Sequence, residues 1–434
     1  MRRAIARQAA AAAIALVAGA AAAQGKVDAS AQAPAAETAA FDGSEPLRLP
    51  AEAAVRAAFE QTPLRAGALA SLSAEQSAAR ATAAGSAEWA VSVTGLRHRQ
   101  TDPTSSNWGE WQLGIDRPLR SGTKRSTAEA AGSARVAQAE VGVRQAWQSH
   151  ARAVLERWGV WQRSEAEARV NRELAELLAT QASAVETRAR LGDAARIERE
   201  QAQAALLQAR AQVEAAASRA ALARDALLAL VPDAADPVRT EALPASPEEP
   251  EAAAIEAQLD VDATLALARA EARSLAAQAD VDIAERRPDP TVGLRVGADR
   301  SGDRIVGLVL SMPLPGEARS ARAESSVRRA SAAALAADEL ARQLRLDAMQ
   351  RVREAALARA QWARQREAAA RLAGVADGLA RGFALGEGTL SDVLAARRVA
   401  HEQALAAALA QVDDTLAQAR LALASGRLWP APPR

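Results

Sequence analysis

Two kinds of hydrophobic periodicity alternate along the chain. Between residues 88 and 117, apolar side chains occupy every second position in two short segments, and the same pattern returns between residues 290 and 313. A period of two predicts strands with one apolar and one polar face. The alternating residues of the first pair are Trp89, Val91 and Val93, followed by Trp111, Leu113 and Ile115.

Long segments of helical character surround each strand pair. No proline occurs between residues 123 and 190, which predicts a helix of about 100 Å at ~1.5 Å per residue. A short break at Leu191-Gly192-Asp193 precedes a returning helix. The second half follows the same plan, with a long helix from 318 to 383, a break at Leu385-Gly386-Glu387-Gly388 and a last helix to about 426. Shorter helices are predicted over 50–84, interrupted near Pro63, and over 251–285.

The matching order of elements predicts an internal duplication. Pro118-Leu119 precedes Pro313-Leu314 by 195 positions, and the two Leu-Gly-acid breaks are 194 positions apart. A nearly constant offset is the signature of a structural repeat. The predicted organisation begins with a signal peptide at 1–23 and a flexible lead-in at 24–48. The first repeat covers 49–232, with its strand pair at 88–117 and its hairpin tip near 191–195. A linker at 233–250 leads to the second repeat at 251–429, with its strand pair at 290–313 and its tip near 385–389, and a tail follows at 430–434.

The N-terminus has the features of a secretory signal. Arg2, Arg3 and Arg7 precede an apolar run over 9–20, and small residues over 21–23 supply a cleavage site. The run is shorter than the ~20 residues of a spanning helix, so cleavage is favoured over a membrane anchor. The mature chain is therefore expected outside the cytoplasm, and any membrane crossing by it would use a β-barrel.

The predicted fold class is mainly α with a small β part. Strands of about ten residues have the length that crosses a bilayer at a tilt. Four such strands cannot close a barrel, whereas three copies of the chain would supply twelve. The sequence thus predicts long helical hairpins forming a trimeric α-barrel, joined to a twelve-stranded β-barrel. An exported coiled-coil rod is the alternative, but it leaves the strand pairs unexplained.

Composition argues against chemistry within the chain. There are no cysteines, the formal net charge is +1, and aromatic residues amount to 3%. Disulfides and thiolate sites are excluded, and nothing favours nucleic acid as a partner. His98, His150 and His401 lack metal-ligand spacing, and nucleotide-binding or catalytic motifs are absent. We therefore expect no enzyme activity, no cofactor and no stored metal.

Four segments resemble one known family. They are RRPDPTVGLRVG at 286–297, GLVLSMPLP at 307–315, FALGEGTLSDVLAARR at 383–398 and ARLGDAARIEREQAQ at 189–203. The chain is similar to the TolC-type outer-membrane efflux factors, and within them to the branch serving heavy-metal cation (RND) exporters. The resemblance covers nearly the whole mature chain. Two departures are the absence of an N-terminal cysteine for lipid attachment and Ala195 in the first tip, where the second has Thr389.

The resemblance implies an assembly and a location. The chain would form a homotrimer in the outer membrane of a Gram-negative cell, with a twelve-helix tunnel reaching into the periplasm. A periplasmic adaptor (membrane fusion protein) and an inner-membrane RND pump would be its partners. The implied function is a passive exit duct for heavy-metal cations. A multidrug or type I protein secretion duct of the same fold is one alternative, and an exported helical-hairpin adaptor or scaffold is an alternative of another class.

Two sets of residues are candidate working surfaces. Glycine permits the positive φ of a tight reversal, and Thr389 with Asp392 forms a helix cap, so the tips are either adaptor contacts or simply well-formed turns. Trp at strand ends suits a membrane interface, although sheet packing would also explain it. The tip candidates are Leu191, Gly192, Asp193, Leu385, Gly386, Glu387, Gly388, Thr389 and Asp392. The membrane-interface candidates are Trp89, Trp108 and Trp111.

Overall fold

Alanine-rich segments without proline form the two longest helices of the chain, because alanine has the highest helix propensity. In the computed structural model the described residues are 47–84, 88–99, 107–232, 234, 252–299 and 302–431. The predicted signal peptide, the lead-in up to residue 46 and the linker apart from residue 234 lie outside them. Within these ranges, no helix combines the length and the apolar character needed to cross a membrane.

The first half contains six elements, and the second half contains six in the same order. The elements of the first half are α1 (Glu52–Glu60), α2 (Pro63–Ala84), β1 (Ala90–Arg99), β2 (Asn107–Pro118), α3 (Gly122–Leu191) and α4 (Arg196–Leu228). Those of the second half are α5 (Ala252–Val261), α6 (Ala263–Ala284), β3 (Thr291–Ala298), β4 (Arg304–Ser311), α7 (Glu317–Ala384) and α8 (Leu390–Ala424). The mainly helical fold class with a small strand part is confirmed. A duplication as the origin of the two halves stays a prediction.

One predicted helix is divided in the structure. The sequence predicts a single helix over 251–285, whereas α5 ends at Val261 and α6 begins at Ala263. The Asp262 side chain accepts hydrogen bonds from the backbone nitrogens of Thr264 (2.8 Å) and Leu265 (3.0 Å). An aspartate in this position caps the start of a new helix, which explains the break.

The four strands form one antiparallel sheet in the order β1-β2-β3-β4. The central pairing of β2 with β3 joins the two halves of the chain, and Val93, Leu113, Val296 and Val306 lie side by side across the sheet. Arg99 pairs with Asn107 and Ala298 with Arg304, so the strand ends that are continuous with the helices lie at the opposite end of the sheet. Among the described strands, β1 and β4 each pair on one side only, so the sheet has two open edges.

The helices continue the order of the strands. Helix α3 packs against α2 and α6, and α6 packs against α7. The order α2-α3-α6-α7 therefore matches β1-β2-β3-β4, since each helix connects directly to the strand at the corresponding position. Farther from the sheet, α3 and α7 form hairpins with α4 and α8, and α3 also contacts α8. The result is a layer of neighbouring helices attached to one end of the sheet.

The largest buried cluster lies at the middle of α3. Its aromatic members are Phe59, Trp147, Trp158 and Trp429, packed with residues from α1, α4 and α8. Each indole nitrogen donates to a backbone carbonyl: Trp147 to Trp429 (3.2 Å), Trp158 to Arg48 (2.8 Å) and Trp429 to Pro50 (3.2 Å). This cluster fixes both ends of the described chain against the long helix.

Candidate functional site

The first hairpin tip reverses the chain through a left-handed glycine. Gly192 has φ 86°, and the Asp193 nitrogen donates to the carbonyl oxygen of Arg188 (2.9 Å). This is the long-range bond of a Schellman helix end. The returning helix is capped only in part, because Ala195 has no hydroxyl. Its backbone nitrogen donates to Glu198 Oε2 at 3.3 Å, and that is the half of a capping box that remains.

The second tip is longer and fully capped. Gly386 and Gly388 have φ values of 90° and 84°, and the Glu387 nitrogen donates to Gly382 O (2.9 Å). Thr389 Oγ1 accepts from the Asp392 nitrogen (3.2 Å), while the Thr389 nitrogen donates to Asp392 Oδ2 (3.3 Å). The reciprocal bonds form the capping box that the sequence predicts.

Two residues join the tips. The Arg188 guanidinium donates to the carbonyl oxygen of Phe383 (3.4 Å) and lies 4.9 Å from the centre of its ring. Phe383 is itself buried in a cluster with residues from all four hairpin helices, namely Ala182, Val185, Ala202, Leu390 and Val393. Packing and a charge-assisted contact therefore hold the second tip beside the first.

The joined tips enclose a polar groove. Its volume is about 390 Å³, and its lining includes Gly192, Asp193 and Glu198 from the first tip and Gly386 and Gly388 from the second. Two leucines project beside it: Leu191 is 73% exposed and Leu385 is 83% exposed. An exposed leucine on each tip, next to polar backbone and carboxylates, is a combination that another protein's apolar side chains and donors can bind.

The structure brings most of the predicted tip residues together. Gly192 and Asp193 share the groove with Gly386 and Gly388, and Thr389 and Asp392 form the adjoining cap. Sequence reasoning missed Arg188 and Phe383, which connect the tips. The 195-residue separation of these two residues matches the repeat offset, and that correspondence is the one sequence signal that pointed to them.

The sheet presents one continuous apolar face. The cross-strand neighbours Val91, Ile115, Leu294 and Leu308 carry the apolar positions from β1 to β4 in register. These side chains are exposed, up to 77% for Val93 and 83% for Leu308. Monomeric soluble proteins rarely expose an apolar surface of this extent, so this face is suited to contact with an apolar partner or an apolar environment.

The opposite face of the sheet, here called the polar face, carries most of the polar side chains of the strands together with Leu96, Ile305 and Val309, and an ion pair crosses it. Arg295 Nη1 lies 2.6 Å from Asp116 Oδ1, which joins β3 to β2. Glycines make room for it: a Cβ atom at Gly114 would lie 2.6 Å from Arg295 Nη1, and one at Gly293 would overlap the Asp116 carboxylate. Gly114 and Gly293, the second of which belongs to the RPDPTVGLRVG segment, thus permit a close side-chain approach across the sheet.

The three candidate interface tryptophans lie at different levels of the sheet. Trp89 precedes β1 at the helix end, and its ring lies 5.0 Å from the Arg117 guanidinium. Trp108 lies at the opposite end and stacks on His98 at 5.0 Å. Trp111 is farther from a strand end than the sequence suggested, because β2 begins at Asn107 and extends to Pro118. None of the three contacts the tips, and their membrane role stays a prediction.

No arrangement for metal binding is visible in the parts of the chain that the structure describes, where no group of three or more His, Cys, Asp or Glu residues converges. The described groove at the tips likewise contains no histidine or hydroxyl nucleophile. The tips and the sheet are two exposed surfaces about 100 Å apart along α3, whose 70 residues rise ~1.5 Å each.

The architecture is that of TolC-like outer-membrane channels. The structure matches that of CusC, described for its transmembrane channel formation, with a TM-score of 0.70 and 14% identity over 86% of this chain and 91% of that one. It also matches the outer membrane protein VceC of Vibrio cholerae (0.68, 18% identity, 87% and 96% covered). The outer membrane channel MtrE of Neisseria gonorrhoeae matches at 0.63, with 18% identity and 88% and 90% covered.

At these identities the similarity establishes the fold alone. No protein-family model matches the chain, and no curated protein matches it by sequence.

Proposed function

We propose that the chain is the outer-membrane channel of a tripartite efflux system, a passive exit duct without chemistry of its own. The observation that carries this proposal is the continuous exposed apolar face of the four-stranded sheet, attached to helical hairpins about 100 Å long. A bilayer would cover that face, and the hairpins would extend into the periplasm. The fold shared with known outer-membrane channels supports the same reading.

A homotrimer would complete the structure. The open edges of β1 and β4 leave unpaired backbone groups, which are costly in a membrane. Three copies joined edge to edge would give a closed twelve-stranded barrel with no free edge. The helix layer would close in the same way, which would place the polar face of the sheet and the ion pair of Asp116 and Arg295 inside the duct.

The tips are the proposed docking surface for a periplasmic adaptor, which would in turn bind an inner-membrane RND pump. Support comes from the exposed Leu191 and Leu385 beside the polar groove. The pump would supply the energy for transport. The proposed cargo is heavy-metal cations, supported by the resemblance of the RPDPTVGLRVG segment, with multidrug or protein export as the alternatives. A gene deletion that sensitises cells to metal salts but not to dyes or detergents would favour the metal cargo.

Cross-linking tests the assembly directly. The chain has no cysteine, so Thr94→Cys on β1 and Ile305→Cys on β4 can be introduced without interference. In outer-membrane vesicles, a bifunctional maleimide should join the double variant into dimers and trimers and nothing larger, while either single variant should give no trimer. Recovery of the protein as a water-soluble monomer in the periplasmic fraction would overturn the proposal and favour the adaptor or scaffold alternative.

A further inference from the structure

Charged residues border the apolar face at both ends of the sheet. On β2 the residues Trp111, Leu113 and Ile115 are followed on the same face by Arg117, which pairs in register with Val292. On β1 the face ends at Arg97. Eight residues separate the level of Trp89 from that of Arg97 on this strand, a distance of ~27 Å at 3.4 Å per residue. This is close to the ~25 Å apolar band of membrane barrels.

Arginines gather at the helix end of this band. Arg117 is the penultimate residue of β2, Arg125 lies in the first turn of α3, and Arg286 and Arg287 connect α6 to β3. All four are exposed, and none has an ion pair among the residues that the structure describes. We call these four residues the arginine belt. The chain places all four next to the helix end of the sheet, because they lie at the end of strand β2, at the start of α3 and in the segment that leads into β3.

The acidic residues at this level are largely occupied elsewhere. The buried Lys124 Nζ lies 3.0 Å from Glu285 Oε2 and 3.0 Å from Asp289 Oδ1. Asp116 is bound by Arg295 on the polar face. Two carboxylates, Glu88 and Glu317, have no ion pair in the described chain, against the four arginines of the belt. The unpaired charge at this level is therefore net positive.

Apolar side chains accompany the belt. Leu119 and Leu314 are both exposed just beyond β2 and β4, and the Trp89 ring lies beneath the Arg117 guanidinium. Arginine next to leucine and tryptophan at the border of an apolar band is suited to the boundary between acyl chains and headgroups, since the stem lies on apolar surface while the guanidinium reaches phosphate.

We infer that the arginine belt binds the phosphate groups of anionic phospholipids in the leaflet on the helix side. The inference rests on the proposed function, since it requires the sheet to lie in a bilayer. Each guanidinium offers paired N–H donors that match a phosphate, and an anionic headgroup also gains from the positive charge at this level. The ligand class is thus a phosphatidylglycerol-like lipid rather than a zwitterionic one.

Native mass spectrometry of lipids retained by the full-length protein tests this. The protein is reconstituted in nanodiscs of phosphatidylcholine with one quarter phosphatidylglycerol and is then released into detergent. The ratio of phosphatidylglycerol to phosphatidylcholine retained by the wild-type protein should be about fivefold higher than the ratio in the bilayer, as one surface arginine implies. The variant Arg117→Gln, Arg125→Gln, Arg286→Gln, Arg287→Gln should retain the two lipids in proportion to the bilayer.

A charge-matched control separates the belt from net charge. It carries Arg210→Gln, Arg224→Gln, Arg353→Gln and Arg364→Gln, four exposed arginines in α4 and α7 away from the sheet, and should retain phosphatidylglycerol like the wild type. Insertion without enrichment, or equal enrichment in the belt variant, would overturn this inference and leave the proposed function standing. Failure of the wild type to enter the bilayer would overturn both.

Discussion

The indole nitrogen of Trp429 donates a hydrogen bond to the carbonyl oxygen of Pro50, 3.2 Å away, across 379 positions of sequence. Trp429 has a φ of 44° and is buried, and its own carbonyl accepts from Trp147 Nε1. The segment after α8 is therefore fixed between the start of the described chain and the middle of α3. A non-glycine residue held in this backbone region is stabilised by its surroundings.

We expect Trp429→Ala to lower the free energy of unfolding by about 3–5 kcal/mol, the usual cost of removing a large buried aromatic side chain. Trp429→Phe should cost less, about 1 kcal/mol for the hydrogen bond plus some packing. Thermal unfolding in detergent measures both. Trp362→Ala, which removes a partly exposed tryptophan from α7, is the control, and an equal loss there would contradict the special role of Trp429.

The His150 side chain predicts a pH dependence. Burial lowers the pKa of His150 below 6.5, and a hydrogen bond to the backbone of Val55 opposes this. The folded state therefore resists protonation that the unfolded chain accepts. Stability should be complete above pH ~6.5 and fall as the pH drops below that value.

Unfolding measured between pH 5 and 8 for the wild type and His150→Leu tests this sign. The variant should lose part of the decrease below pH 6.5, while His98→Leu on the sheet should keep it. A wild-type stability that rises on acidification through this range would contradict the account.

Substitutions of two glycines, one within α7 and one in the tip that follows it, distinguish the effect of backbone strain from the effect of packing. A Cβ atom added at Gly374 or at Gly386 would meet nothing within 4 Å, but only Gly386 has a positive φ, of 90°. Gly386→Ala should therefore cost about 1–2 kcal/mol. Gly374→Ala should instead stabilise α7 by up to about 1 kcal/mol. Chemical unfolding of the two variants side by side should give opposite signs, and equal signs would show that the tip does not keep this conformation.

The unequal caps of the two tips give a reciprocal prediction. Thr389→Ala should destabilise the first turn of α8 by about 1 kcal/mol, and Ala195→Thr should stabilise the first turn of α4 by a similar amount. Amide hydrogen exchange in these turns measures both changes. Unchanged exchange in α4 after Ala195→Thr would indicate that a hydroxyl at this position does not reach the cap.

The buried Lys124 should be costly to remove. Its side chain is 4% exposed and contacts Glu285 and Asp289 at 3.0 Å each. Lys124→Met leaves both carboxylates without this partner and should cost about 3 kcal/mol, with part of the loss recovered by adding Asp289→Asn. Arg125→Met, one residue away and exposed, should change unfolding little. A neutral Lys124→Met would contradict a structural role for the cluster.

Local patterns predict much of this fold. The alternation around Val91 and Leu113 gave both strands of the first pair, and the absence of proline after residue 122 gave α3 nearly to its end. The Thr389-x-x-Asp392 pattern gave the cap of α8, because a capping box is made within four residues. Features of this kind depend on neighbours in sequence, and a single sequence contains them.

The remaining features depend on contacts between distant segments. The pairing of β2 with β3 joins residues such as Leu113 and Val296, and no local pattern specifies it. The place of Trp429 in the core was missed because its partners, Trp147 and Pro50, lie far from it in sequence and no local pattern links them. Arg188 was missed for a similar reason: its partner Phe383 belongs to the other hairpin.

Labelling of adjacent residues on the outer strands tests the central claim that one face of the sheet lies in lipid. Val93→Cys and Leu308→Cys would be on the apolar face, and their neighbours Thr94→Cys and Gly307→Cys on the polar one. In intact outer-membrane vesicles, a water-soluble maleimide should label the second pair and leave the first unlabelled until detergent is added. Equal labelling of all four positions before detergent would contradict a sheet embedded in the membrane.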